Sequence, residues 1–124
     1  MISKIASVEG GLNSAEVAEL LTEACPVSEY RGKRILLIVP DSTRTAPVGL
    51  LFQTLHRHVG VVVRAFDVLI ALGTHQPMSD AAICERLEIS EDERQDSYQN
   101  VRFFNHAWND PSALRKVGTI PAEE

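Results

Sequence analysis

A chain of 124 residues with 44% hydrophobic and 23% charged side chains has the composition of one globular domain, able to bury roughly two-thirds of its unfolded surface. Its formal charge of -5 and the lack of any basic run exclude non-specific nucleic-acid binding, which needs many Lys and Arg side chains to neutralise phosphates. No apolar run approaches membrane-spanning length, and the segment from Met1 to Ala6 lacks the apolar core of a signal peptide, so no membrane partner and a cytoplasmic location are expected.

In chain order, residues 1 to 13 contain Gly10 and Gly11 and read as a loose or short-strand lead-in. Asn13 with Glu16 three residues later forms a capping-box pattern. Val17, Leu20, Leu21 and Ala24 then fall at i, i+3, i+4 and i+7, which predicts an amphipathic helix ending before Pro26. Pro26 to Lys33 reads as a loop. Arg34 opens a strand whose five consecutive apolar residues, Ile35 to Val39, suit a strand buried on both faces of a parallel sheet. After Pro40 come Asp41, Ser42, Thr43 and Arg44. Pro47 then suits the first turn of a helix carrying Val48, Leu51, Phe52, Leu55 and Val59.

A second strand is expected over Asp67 to Leu72, ending in Gly73, Thr74 and His75. Ser79 predicts an N-cap and Asp80 a dipole-complementing first turn for a helix through Leu87; Ser90 with Glu93 predicts a second capping box and a short helix to about Tyr98. Val101 to Phe104 reads as a third strand, followed by Asn105, His106, Trp108 and an Asn-Asp-Pro turn. One helical turn is expected at Ser112 to Lys116 and the start of another strand at Val117 to Ile120. Alternating strands and helices without repeats or linkers predict a single α/β domain over residues 1–124, with a three-layer, Rossmann-like arrangement and a mainly parallel sheet that is incomplete at its carboxyl end.

Ligands of open parallel sheets bind outside the carboxyl ends of the strands, so the polar clusters there are the candidate site. Asp41, Ser42, Thr43 and Arg44 lie between a strand and a helix; backbone amides and the Arg44 fork can grip a carboxylate or phosphate, with Asp41 orienting Arg44 or accepting from a ligand hydroxyl. The plain alternative is that Asp41 caps the helix and Arg44 is a surface charge. His75 is the acid/base candidate, because imidazole titrates near neutral pH and Gly73 permits close backbone approach; its alternative is a histidine that satisfies neighbouring backbone groups. Neighbouring strands would bring the Asp41 and His75 clusters together. His106 ranks second and more structural. His56 and His58, two apart on a helix, point to different faces as solvated side chains. Cys25 and Cys84 read as separate reduced, buried thiols, and no metal-site spacing, GxGxxG or phosphate loop is present.

Taken together, Asp41-Ser-Thr-Arg44, then Ala71-Leu-Gly-Thr-His75-Gln-Pro-Met78, then Asn105-His106-Ala-Trp108, in that order after three strands, resemble the amino-terminal domain of the lactate racemase family, the nickel-pincer-nucleotide 2-hydroxy acid racemases and epimerases. The resemblance implies hydride transfer from the alpha carbon of a 2-hydroxy acid to a pyridinium mononucleotide carrying nickel, while a histidine removes the hydroxyl proton. It implies His75 as acid/base, Arg44 as the substrate-carboxylate arginine, and Asp41, Ser42, Thr43, Gly73, Thr74 and His106 as surrounding substrate or cofactor residues. Many relatives carry Arg where this chain has Gln76 and Pro where it has Thr45, which implies a substrate other than lactate. Family members are several times longer, and their cofactor-tethering lysine, nickel-binding histidine and second catalytic histidine fall beyond Glu124. The expectation is therefore a fragment or short homologue, inactive and without cofactor alone, and self-associating through an unpaired sheet edge. A non-catalytic nucleotide- or anion-binding module, or a structural or interaction domain, is the competing reading.

Overall fold

The computed structural model describes residues 10–120. The lead-in expected at the amino terminus falls largely on residues 1–9, outside the described residues. Helix α1, Ser14–Ala24, begins as the capping box requires. The Asn13 side chain accepts from the Glu16 amide and the Glu16 carboxylate accepts from the Asn13 amide, both at 3.0 Å. Pro26, which cannot continue a helix, follows its end, and a four-residue helix α2, Val27–Tyr30, occupies part of the segment expected to be loop. A single turn is too short to leave a periodic pattern in sequence.

Strand β1, Arg34–Pro40, leads into helix α3, Val48–Val59, and α3 into strand β2, Ala65–Ala71, which starts two residues earlier than expected. Helix α4, Asp80–Arg86, is N-capped by Ser79, whose hydroxyl accepts from the Ala82 amide at 3.2 Å. Helix α5, Glu91–Gln95, starts at the Ser90/Glu93 capping box and stops short of Tyr98. Tyr98 instead turns inward, its ring centroid 5.0 Å from that of Phe52. Strand β3, Val101–Asn105, completes a three-stranded sheet in the order β1-β2-β3, with both pairings parallel. The α/β class with a parallel, incomplete sheet is thus as expected.

Strand register decides which residues form the core. In parallel pairs the partners share a face, so Ile35, Leu37 and Val39 line up with Phe66, Val68 and Ile70. That face joins Phe52 and Val59 of α3 and Ile83, Cys84 and Leu87 of the α4 segment in one core. Phe52 is fully buried, and truncating it to Ala would cost about 3–5 kcal/mol. The other face carries Leu36, Ile38 and Phe104, which are 55%, 61% and 42% exposed. Ile35 to Val39 is therefore buried on one face and not on two: the helices whose side chains enter the core do so from one side, so only alternate residues of β1 are covered. No helix among the described residues is long and apolar enough to cross a membrane.

Four further expectations change. His56 is half-buried against Phe66 and Tyr98, at centroid distances of 5.3 and 4.9 Å, and its desolvation pushes the imidazole pKa down. The His58 Nε2 lies 2.8 Å from the Cys25 carbonyl oxygen. Both point to different faces, as their spacing requires, but both serve packing and neither is merely solvated. Residues Ser112 to Lys116 form no helix, because the Asp110 carboxylate takes both the Ser112 amide and hydroxyl, at 2.9 and 2.7 Å, and closes a tight turn there. Val117 to Ile120 is not a strand: Val117 is fully exposed and Ile120 is 79% exposed, and no strand among the described residues pairs with it. Both cysteines are free, Cys84 buried and Cys25 only partly so.

Candidate functional site

The first two strands end side by side, and their loops meet. Asp41 follows β1 directly and is 5% exposed. Its Oδ1 accepts from the Thr43 amide at 3.1 Å and from the Thr43 hydroxyl at 2.6 Å, folding residues 41–43 into a turn. Its Oδ2 faces His75 Nδ1 at 2.5 Å. Asp41 therefore does not cap α3, whose N-cap position is Pro47 with no side-chain bond. The Thr43 hydroxyl first, and His75 second, hold the Asp41 carboxyl well below its usual range, at about 2.

His75 is delivered by a turn in which its amide donates to the Leu72 carbonyl at 2.9 Å. Gly73 sits in that turn at φ +60°, in the left-handed region. A Cβ at Gly73 would meet no protein atom within 4 Å, so within the domain it is the backbone conformation that requires glycine. The His75 side chain is 57% exposed although its carboxylate partner is buried, leaving the far edge of the ring open.

Arg44 ends the first loop. Its side chain is exposed and has no hydrogen-bond or ion-pair partner among the described residues. Asp41, Thr43, Arg44, Gly73 and His75 line one cleft of about 250 Å³, with Ile38 of the open sheet face at its edge. A buried carboxylate, an accessible imidazole and a free guanidinium thus share one concave surface. Ser42 faces away, into a separate cleft with Met78 and Arg86. Thr74 is exposed in its turn and does not line the Asp41–His75 cleft. His106 is half-buried and anchored through its amide, which donates to the Ile70 carbonyl at 3.0 Å; it too stands outside the cleft.

The third strand end holds the second loop in place. The Asn105 side chain pairs with the Met78 backbone in both directions, each at 2.9 Å, and the Trp108 indole N–H donates to the His75 carbonyl at 3.1 Å. Arg86, at the end of α4, donates to the carbonyls of Pro40 and Arg44 at 3.1 and 2.9 Å. Sequence reasoning gave Arg86 no role, since an arginine ending a helix looks like an ordinary dipole-complementing charge. Among the described residues no group of three His, Cys, Asp or Glu side chains is placed to hold a metal ion.

Residues 12–124 match the sequence profile of the family described as Lactate racemase N-terminal domain. A crystal structure of a Thermotoga maritima protein superposes with a TM-score of 0.75 at 32% identity, covering 90% of this chain and 26% of that one. The chain therefore spans about a quarter of that relative's length. A search of curated proteins returns no significant match.

Proposed function

The chain belongs to the lactate racemase N-terminal domain family, and from that premise we propose that it forms one wall of an active site that racemises or epimerises a 2-hydroxy acid. His75 is the acid/base group and Arg44 the carboxylate clamp. The observation that carries this reading is the contact of Asp41 Oδ2 with His75 Nδ1 beside an unpartnered Arg44 in one cleft.

The chemistry follows from the atoms. A carboxylate on Nδ1 fixes the neutral tautomer with its proton there, so the lone pair lies on Nε2, at the ring edge turned away from Asp41. Nε2 then takes the proton of the substrate hydroxyl, and the imidazolium so formed is stabilised by Asp41, which stays ionised at about pKa 2. Arg44 grips the substrate carboxylate at two points and sets the alpha carbon in register with the base. When bound, the nickel-pincer nucleotide of the family supplies the hydride acceptor. The described residues form no metal-holding cluster, and this wall of the site contributes only the groups that would face the substrate. Thr45 and Gln76, both exposed near the loop ends, are the positions through which the substrate would differ from lactate.

The test is a nuclear magnetic resonance titration of this chain with lactate and with larger 2-hydroxy acids. Shifts at the Arg44 Nε and His75 ring signals, lost in Arg44→Ala, are expected. Absence of any shift at either group in tens of millimolar ligand overturns the assignment. Protein holding this domain in a complete active site should exchange the alpha hydrogen of its substrate and lose that exchange in His75→Ala; binding without exchange would identify an anion-binding module instead.

A further inference from the structure

The geometry points to Arg86 as the positioning residue of the candidate site: its guanidinium grips the two ends of the Asp41–Arg44 loop and sets that loop against His75. Nε donates to the carbonyl of Pro40 and Nη2 to that of Arg44, at 3.1 and 2.9 Å. These two N–H groups lie along one edge of the planar fork, so a single side chain holds both carbonyls at a fixed separation. Between the two gripped residues lie Asp41, Ser42 and Thr43. The loop's own bonds, Asp41 to Thr43 and the Arg44 amide to the Asp41 carbonyl at 3.3 Å, shape its tip but do not attach it to the rest of the domain.

Arg86 is not an ordinary surface charge. It is half-buried, and although Glu85 and Glu88 flank it in sequence and share its cleft, it makes no ion pair with either. Its donors go to backbone carbonyls 46 and 42 residues away. Helix α4 is also N-capped by Ser79, immediately after the His75–Met78 loop that Asn105 and Trp108 anchor. One helix therefore connects the two halves of the site: the His75 loop enters at its start, and the Asp41 loop is tied to its end. A lysine ammonium has three donors on one atom but no planar fork, so it cannot hold the two carbonyls at the fixed separation that the arginine edge sets.

The positioning itself stands on these bonds; its bearing on catalysis rests on the function proposed above, and the experiment separates the two. Arg86→Met keeps most of the stem and removes every donor, and Arg86→Lys restores a charged point donor without the fork. In the 124-residue chain, Arg86→Met should retain its circular dichroism spectrum. Its Asp41 carboxyl midpoint, read by carbon resonance, should rise by about one pH unit as the His75 contact loosens. Amide exchange at Thr43 and Arg44 should quicken about tenfold, and Arg86→Lys should fall between the variant and the parent. Should Arg86→Met fail to fold, the same two readouts in Arg86→Lys decide. An unchanged Asp41 midpoint with unchanged Thr43 and Arg44 exchange overturns the proposal, whether or not a 2-hydroxy acid binds. Failure of lactate and of the larger 2-hydroxy acids to bind the parent chain, with the midpoint and exchange shifted as expected, overturns the functional reading and leaves Arg86 as the loop's anchor.

Discussion

Two pairs of a carboxylate with a nitrogen side chain tie neighbouring strands of this sheet together, and they differ in a way that separates structure from chemistry. Asp67 and Arg102 are register partners on β2 and β3, joined by two parallel hydrogen bonds of 2.9 and 2.5 Å. Asp41 and His75 lie just past the ends of β1 and β2, joined by one contact of 2.5 Å. In both, the carboxylate is nearly buried and the nitrogen-bearing partner more than half exposed: 12% against 59% for the first pair, 7% against 57% for the second. Burial is therefore not what distinguishes them. Arg102 is always charged, has both its fork positions on this edge used by Asp67, and lies 5.5 Å from the Phe104 ring. His75 gives one nitrogen to its partner and keeps the other free. The first pair joins strands in register; the second leaves one imidazole nitrogen open, the atom to which the proposed function assigns the proton transfer.

The largest expected effect follows from that contrast. In protein holding the complete active site, His75→Ala should lower alpha-hydrogen exchange by about 10²–10⁴-fold, the usual contribution of a positioned acid/base group. Arg102→Met should leave the rate per folded molecule unchanged. Isotope exchange from labelled substrate measures both, and equal losses in the two variants would erase the distinction.

Next in size is the stability of the strand pair. Arg102→Met leaves Asp67 nearly buried without its partner, and Tm at pH 7 should fall by several degrees. The Asp67 pKa is lowered, mainly by its hydrogen bonds with Arg102. A depressed folded-state pKa contributes stability that is complete above the unfolded carboxylate value of about 3.9 and is lost as pH falls through the folded one. The gap between parent and variant should therefore narrow as urea unfolding is repeated from about pH 5 down to about pH 2, and a gap constant over that range would deny the pair its role.

The same contrast explains what could be read from sequence. Asp41 and His75 announced themselves because polar side chains follow directly on apolar strand runs, and strand adjacency placed them together. The capping boxes at Asn13 and Ser90 are local, their partners three residues away, and both formed. Arg86 was illegible because its carbonyl partners are more than 40 residues distant and carbonyls carry no sequence identity. The exposed face of Leu36, Ile38 and Phe104 was illegible for another reason: a continuous apolar run looks the same whether one face or both are covered. His56 misled because two-residue spacing on a helix fixes direction but not what lies there, and here Phe66 and Tyr98 cover the ring.

A smaller effect tests the turn that delivers His75, for which the strand pair has no counterpart. Gly73 at φ +60° has open space around its missing Cβ, so Gly73→Ala meets backbone strain alone, about 1 kcal/mol or roughly 3–6 °C in Tm. Asn, which tolerates that region better, should recover part of the loss. A full loss in both would mean that the space, and not the conformation, matters.

The finest distinction lies within Asp41 itself. Its low pKa rests first on the Thr43 hydroxyl and only then on His75, so the turn and the imidazole are separable. Thr43→Val removes the hydroxyl at 2.6 Å but keeps the amide at 3.1 Å, and Thr43→Ser keeps both. The Asp41 midpoint should rise from about 2 to roughly 3 in the Val variant and stay near its parent value in the Ser variant. The sign follows from linkage: charged Asp41 favours the folded state fully above about pH 3.9, and this contribution disappears as pH falls through the folded midpoint, so a higher midpoint leaves a smaller contribution at neutral pH. His75 should remain paired in the Val variant, because its contact uses the other carboxylate oxygen. Carbon-detected titration of Asp41 alongside the His75 ring signals reads both; a His75 ring signal that moves as far as Asp41's would mean the two oxygens act as one site, and the turn and the base could not be tuned apart.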